Sequence, residues 1–416
     1  MDNETKTQRE VKMMKFRTVS RRALGLASLL AVTALFSAPV AAQQNPIVIG
    51  ATLGLTGAFA EPSTDYKAVY DLWVEKVNKK GGLLGRPVKL ILYNDESTPA
   101  VAQSLYNRLL DQDKVDLVLA PYTTFVGGAI VPIVMSHKKV LFNGGFVGIN
   151  LFKNNKGWIV GSYSYQEPDY TRGVFEMIKS LPENQRPKRA AIFTAQNPFT
   201  IVVRAGIDGK GGALNYAKEA GLQVVVDEQY PPNTTDFTGL VQKAKSANAD
   251  IVLTLGLPND TLQIARTVRQ QGYRPAIFCT CGSQVTTLKG WAALGDAAES
   301  GFGTTIAWPT QPFPGIAELA EVFKKRGYAT LPTYAIGGTA ILEVLEQAVE
   351  GAKTLDQEKL KEYIHKHEFK TVGGNFKYQE DGTPVYSQIL LQYQKGKNEV
   401  VWPKQFRTAD PVFRTQ

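Results

Sequence analysis

Histidine and cysteine are scarce in this chain. Its 416 residues include three histidines, His137, His365 and His367, and two cysteines, Cys279 and Cys281. No histidine has partners at metal-ligand spacing, so no zinc site is expected. His365 and His367 lie in a Lys/Glu-rich stretch and read as solvated. No G-x-S-x-G elbow and no G-x-x-x-x-G-K-S/T loop occurs. Gly50 to Gly57 follows an apolar run but lacks the spacing of a dinucleotide fingerprint. Gly206 to Gly212 falls inside a helical run instead of directly after a strand. These absences leave no catalytic residue, metal or cofactor to expect, and the chain does not read as an enzyme.

Charge of one sign is also limited. Lys and Arg number 47 against 38 Asp and Glu, a net of +9. Residues 1–42 hold seven of the first kind and three of the second, leaving a scattered surplus of about +5 on the rest. There is no basic helix with interleaved aromatics, so nucleic acid is not an expected partner. The two cysteines are separated by one residue and would share a face on a strand. A ring that small reads as strained, so a structural disulfide is not expected. The pair reads as two small apolar residues at a strand end.

Long apolar runs are missing except at the N-terminus. Arg17, Arg21 and Arg22 precede Ala23 to Ala38, and Val40-Ala41-Ala42 follows. A basic flank, a short apolar core and small residues at a cleavage site describe a secretory signal over residues 1–42. The run is short for a membrane span, which needs about 20 residues. Ser20-Arg21-Arg22 is a partial twin-arginine match, which leaves both general and twin-arginine export open. No Cys follows the cleavage region, so no lipid anchor is expected. The remaining 374 residues suit about two domains.

The mature chain opens with Ile47-Val48-Ile49-Gly50, an apolar strand. Tyr66, Val69, Tyr70, Trp73 and Val77 then form a helical stripe that ends at Gly81-Gly82. Val88 to Leu92 is the next strand, and Thr98-Pro99 opens a second helix. Val115 to Leu119 is continuously apolar, as a strand covered on both faces must be. Thr123 or Thr124 would cap the helix Val126 to Met135. Lys139 to Phe142 is a strand running into the glycine-rich loop Asn143 to Gly148. The pattern starts again at Ala190 to Thr194, with one helix over 200–220, a strand at Val224 to Val226, a helix from Phe237 to Ser246 and a strand at Ala249 to Leu255. Val115-Asp116-Leu117 and Ala249-Asp250-Ile251 hold equivalent places, so two similar α/β lobes are expected. Later helices span Ile316 to Lys325, Tyr334 to Gly351 and Asp356 to Lys366. Phe376 to Tyr378 and Ser387 to Tyr393 read as antiparallel strands around a turn.

Without a catalytic constellation, the functional reading is binding. Ligands of open parallel sheets sit beyond the carboxyl ends of strands. Those ends are the loops at Gly54–Pro62, Tyr122–Thr124, Asn143–Val147, Tyr163–Tyr165, Ala195–Phe199, Gly256–Asp260 and Cys279–Gln284. Helix N-termini there suit an anion such as a carboxylate.

Ile49-Gly50, Leu55-Thr56-Gly57, Gly81-Gly82-Leu83-Leu84-Gly85-Arg86, Asp113-Lys114-Val115-Asp116 and Asp236-Phe237-Thr238 carry a resemblance over nearly the whole mature chain. In these segments it resembles the leucine/isoleucine/valine-type (type I) periplasmic binding proteins, the solute receptors of ABC importers. The resemblance implies two Rossmann-like lobes with parallel sheets, three hinge crossings and ligand-driven closure. Its lobes would be residues 46–162 plus 310–375 and residues 163–309 plus 376–416. It further implies a periplasmic monomer that delivers a small carboxylate, amino acid or aromatic or aliphatic acid, to a membrane permease, with no enzymatic activity. The same fold also serves as a periplasmic sensor subunit.

The family's carboxylate-gripping hydroxyl falls on Thr124, and its loop partner falls on Gly144, Gly145, Phe146 and Val147, where a threonine is replaced. Its second-lobe aromatic falls near Phe199. Near Cys281-Gly282-Ser283 amino-acid-binding members often place an acid, and none is present here. Either Glu61 or Asp260 meets the ligand's ammonium, or the ligand has none. The expected ligand-binding residues are therefore Glu61, Tyr122, Thr123, Thr124, Gly144, Gly145, Phe146, Val147, Tyr163, Tyr165, Phe199, Gly256 and Cys281.

Overall fold

Ile47–Leu53 forms the strand β1, on which the first sheet is built. The computed structural model describes residues 45–163, 165–384 and 388–413. The export signal expected in residues 1–42 lies outside them. After β1 come α1 (Ala60–Lys79), β2 (Val88–Asn94), α2 (Pro99–Asn107), β3 (Leu117–Leu119), α3 (Thr124–Ser136), β4 (Leu141–Asn143), α4 (Ile149–Asn154) and β5 (Ile159–Gly161). The sheet order is β2-β1-β3-β4-β5 and every pairing is parallel. Helices cover such a sheet, so its strands are apolar without alternation. Ile49, Leu117, Leu119, Leu141 and Phe142 accordingly have no exposed surface. The stripe Tyr66, Val69, Tyr70, Trp73 and Val77 is the buried face of α1.

The second half repeats this plan. It runs through α5 (Arg172–Ser180), β6 (Arg189–Ala195), α6 (Pro198–Ala205), α7 (Ala213–Glu219), β7 (Gln223–Tyr230), α8 (Thr238–Ser246), β8 (Ile251–Leu255), α9 (Pro258–Gln270), β9 (Ile277–Cys279), α10 (Lys289–Ala292) and β10 (Gly301–Thr305). Within a seven-stranded sheet, β7-β6-β8-β9-β10 are parallel, in the order of the first sheet. The two matching aspartates do equivalent work. Asp116 Oδ2 accepts the Val48 N–H at 2.8 Å, at the start of β1. Asp250 Oδ2 accepts the Lys188 and Arg189 N–H groups at 2.8 and 3.0 Å, at the start of β6. Each ties the entry of a third strand to the entry of the first.

The chain then returns toward the first sheet. It forms α11 (Ile316–Lys325), α12 (Thr333–Ala352), α13 (Gln357–Lys366) and the hairpin β11 (Glu368–Thr371) with β12 (Gly374–Lys377). α12 packs on α1. A Cβ on Gly338 would lie 2.8 Å from the Tyr66 ring, and Trp73 Nε1 donates to Glu346 Oε2 at 3.0 Å. Finally β13 (Ile389–Gln394) and β14 (Lys397–Trp402) extend the second sheet antiparallel to β10.

Three local expectations are corrected. Residues 200–220 are two helices, because Gly206, Gly209, Gly211 and Gly212 take φ of 74°, 72°, 63° and 84°, a region glycine enters without a Cβ penalty. The strand at Phe376 pairs back with β11, not forward with the strand at Ile389. Cys279 and Cys281 are joined by a disulfide. The turn after β9 holds their Cα atoms 5.2 Å apart, closer than the roughly 6.6 Å between alternate residues of a strand and inside the roughly 4.4–6.8 Å that a disulfide spans. The single intervening residue does not prevent the bond.

Candidate ligand-binding site

Both sheets aim the carboxyl ends of parallel strands at one cavity. The first half supplies Tyr122, Thr123, Thr124 and Phe125 after β3, and Gly145, Phe146 and Val147 after β4. The second supplies Asn197 and Phe199 after β6, Gly256, Leu257 and Pro258 after β8, and Gly282 and Gln284 after β9. Tyr163, Tyr170 and Tyr334 complete the wall. The cavity volume is about 50 Å³.

Three helices begin at this cavity. Thr123 caps α3 from extended backbone, its Oγ1 accepting the Phe125 N–H at 3.2 Å. Thr124 is then the first helical residue. Its Oγ1 faces the β4 loop and accepts the Val147 N–H at 3.5 Å, too long to hold the hydroxyl firmly. Asn197 caps α6, accepting the Thr200 N–H at 3.0 Å, with Pro198 in the first turn. Pro258 opens α9 in the same way. Helix starts leave N–H groups without intrahelical acceptors and carry the positive end of the helix dipole. Among the described residues lining the cavity there is no Asp, Glu, Lys, Arg or His. Its potential is therefore set by the starts of α3 and α6, for which an anion is the suited charge, and by the start of α9, whose first turn also carries Asp260.

The β4 loop is held from within. Asn143 Oδ1 accepts the N–H groups of Gly145 and Phe146 at 2.9 and 3.0 Å, and its Nδ2 donates to Phe146 O at 2.8 Å. These two backbone donors serve Asn143 instead of the cavity. A Cβ on Gly145 would collide with the Pro121 carbonyl oxygen, so only glycine lets the loops after β3 and β4 touch.

Neutral phenols form the floor. The Tyr66 and Tyr163 hydroxyls lie 3.2 Å apart. Tyr122 donates to the Tyr334 hydroxyl at 3.1 Å, and Tyr334 donates to the Ser283 carbonyl. Burial pushes Tyr122 up to about 12 and holds Tyr163, Tyr170 and Tyr334 well above the usual phenol range. None of them is a phenolate at neutral pH.

Of the residues expected from sequence, Tyr122, Thr123, Thr124, Gly145, Phe146, Val147, Tyr163, Phe199 and Gly256 line the cavity. Glu61, Gly144, Tyr165 and Cys281 do not. Glu61 Oε1 accepts the Gly290 N–H at 2.8 Å. Gly144 packs on α12, where a Cβ would lie 2.9 Å from Ile341, and its carbonyl accepts from Tyr66. Tyr165 sits behind the wall and accepts from Gln284 Nε2. Cys281 is consumed in the disulfide beside Gly282. Asp260 is tied to the Leu257 N–H at 3.3 Å and the Tyr230 hydroxyl at 3.2 Å, and burial raises its carboxyl. Asn197, Leu257, Pro258, Gly282 and Gln284 also line the cavity, inside loops the sequence places at the ligand-bearing strand ends though it singles out none of them, while Phe125, Tyr170 and Tyr334 fall outside every expected segment. Asn197-Pro198 and Leu257-Pro258 carried a readable signal, a proline in the first turn of a helix.

A family model described as periplasmic binding protein matches residues 46–398. The Leu/Ile/Val-binding protein homolog 7 of Brucella melitensis is 24% identical over 402 residues, covering 92% of this chain and 96% of that protein. The fold matches a branched-chain amino acid transporter substrate-binding protein of Streptococcus pneumoniae, solved in complex with isoleucine. The TM-score is 0.70 at 20% identity, over 86% of this chain and 100% of that one. It also matches an ABC-transporter solute-binding protein from R. palustris in complex with benzoate, at TM-score 0.72 and 18% identity, over 89% of this chain and 98% of that one. Among the described residues, no helix is long and apolar enough to cross a membrane, and no His/Cys/Asp/Glu group could hold a metal ion.

Proposed function

Because this chain belongs to the periplasmic binding protein family, we propose that it captures a small carboxylate between its two α/β halves and hands it to an ABC-importer permease. The observation that carries this reading is the convergence of three helix starts on a cavity wall without a charged side chain. A carboxylate placed there meets the positive dipole ends of α3 and α6, each worth about 0.3–1 kcal/mol at exposed sites and up to ~2 when partly buried, while the start of α9 is already faced by Asp260. An α-ammonium would meet the same positive ends with no carboxylate in the wall, since Glu61 and Asp260 are engaged elsewhere. The ligand is therefore an acid without an ammonium, and the tyrosines and phenylalanines favour a flat or branched apolar body.

Closure is the conformational step of this reading. The chain passes between the two sheets three times, after β5, after β10 and after β12, and these crossings serve as the hinge. The hydrogen bonds Tyr334 to Ser283 and Gly290 to Glu61 hold the halves together. The protein works as a periplasmic monomer and carries out no reaction on its ligand. The disulfide suits that compartment, because such bonds persist where thiols are oxidised.

The test is a thermal-shift screen of unfolded-and-refolded protein, freed of carried-over ligand, against aromatic and aliphatic acids and the branched-chain amino acids. Stabilisation by acids lacking an ammonium supports the reading. Stabilisation by amino acids alone keeps the receptor and overturns the ammonium-free ligand. Stabilisation by no small carboxylate overturns the function itself.

A further inference from the structure

Gln284 lies in the cavity wall with φ 53° and ψ 25°, a left-handed backbone. An L residue there is uncommon, and such conformations persist where the surroundings over-determine them, often at ligand clamps. Two devices fix this one. The Cys279–Cys281 disulfide closes the turn just before it, and a Cβ on Gly282 would lie 2.7 Å from Leu255 Cα, so this turn is pressed onto the end of β8. The Gln284 side chain is only 1% exposed. Its Nε2 donates to the Tyr165 hydroxyl, which anchors the amide. Its Oε1 has no hydrogen-bond partner.

A buried amide oxygen without a donor is costly. Several nearby protein donors are committed. Tyr122 donates to Tyr334, and Tyr334 donates to the Ser283 carbonyl. The Gly282 N–H goes to Thr254 O at 3.0 Å and the Ser283 N–H to Thr280 O at 3.2 Å. The Ser283 hydroxyl donates to Thr261 Oγ1 at 3.0 Å. Gln284 is part of the cavity wall, so a donor on the cavity's occupant would satisfy this oxygen.

We infer that Gln284 is a specificity residue whose Oε1 accepts a hydrogen bond from an uncharged hydroxyl of the ligand, so that the preferred ligand is a small hydroxylated carboxylic acid. This inference rests on the carboxylate reading above. The donor is an O–H and not an ammonium, because the starts of α3 and α6 face the cavity and no carboxylate lines it. A site built to receive a hydroxyl rejects the analogue that lacks it, since its own acceptor is then left unpaired.

The test is calorimetric titration of the ligand-stripped full chain with matched pairs. These are benzoate against 3- and 4-hydroxybenzoate, and 4-methylpentanoate against 2-hydroxy-4-methylpentanoate, with leucine alongside. In the wild type at least one hydroxylated member binds about tenfold or more tightly than its unsubstituted partner. In Gln284→Met and in Gln284→Gly that ratio falls to within about threefold of unity. The glycine variant suits the positive φ and stands in if the methionine variant fails to fold. A ratio near unity for every pair in the wild type, a preference that survives both substitutions, or leucine binding more tightly than every acid overturns the assignment. If unsubstituted acids bind and hydroxylation brings no gain, only the Gln284 assignment falls. If no acid binds, the carboxylate reading falls and takes the assignment with it.

Discussion

The Glu61 carboxylate, in the first turn of α1, accepts the backbone N–H of Gly290 in α10 at 2.8 Å. A residue that the sequence suggests for the ligand's ammonium instead joins the two halves of the molecule. The contact is tight, since a Cβ on Gly290 would lie 2.8 Å from Glu61 Oε2. Glu61→Ala removes a charge-assisted hydrogen bond, about 1.5–3 kcal/mol where it is formed, and partial exposure lowers that figure. If Glu61 acts only through closure, the variant weakens all ligands by a common factor of about 3–10. Titration of one acid and one neutral analogue checks this. A loss confined to ligands of one charge would return Glu61 to the ligand.

The disulfide has a separable effect. Its loop is so short that the chain-entropy model assigns it only about 1–2 kcal/mol. The turn it closes leads directly to Gly282 and Gln284 in the cavity wall. The double variant Cys279→Ser, Cys281→Ser is therefore expected to lose a few degrees of Tm but to weaken ligand binding about tenfold or more. Differential scanning calorimetry paired with titration reads both. Unchanged affinity with a large fall in Tm would make the bond purely structural.

Burial also gives the fold a pH dependence. Glu167 is 4% exposed and accepts the Ile149 N–H at 3.0 Å. Burial, only partly offset by that hydrogen bond, pushes its carboxyl from 4.5 up to about 8. The folded chain keeps this proton where the unfolded chain releases it, so the group's stabilisation is complete below about pH 4.5 and is lost as the pH rises through 8. Asp65 and Glu343, pushed up to about 7 by burial, act in the same direction. Glu167→Gln keeps the acceptor for Ile149 and removes the titration. Wild-type Tm is expected to fall from pH 5 to pH 9, and the variant's to fall less, with the largest gap at pH 9. Parallel Tm–pH curves would contradict the burial argument.

What was legible in the sequence was local or repeated. The α1 stripe and the continuous apolar strands follow from periodicity and coverage. The Asp116 and Asp250 pair reveals the repeat because each caps the same strand entry. Thr123 and Thr124 could be placed at a helix start, but which one capped could not be told, since both are hydroxyl residues in adjacent positions. Tyr334 was not legible, because it reaches the cavity from a helix that follows a return of the chain to the first sheet. Gln284 ends a loop that the sequence places at the ligand-bearing strand ends, but its left-handed backbone and unpaired oxygen carry no sequence signal. The disulfide is not legible from residue spacing, because the turn after β9 brings the two Cα atoms closer than a strand would.

The central claim is that the starts of α3 and α6, and no charged side chain, hold a small carboxylate. Calorimetry of ligand-stripped protein with an acid and the neutral amide of the same skeleton, such as benzoate and benzamide, tests it most directly, with Thr124→Val as the companion variant. The expected result is measurable binding of the acid, at least about tenfold weaker binding of the amide, and weakening of the acid by a further factor of about ten in the variant. Equal binding of acid and amide, or an acid affinity indifferent to Thr124, would contradict it.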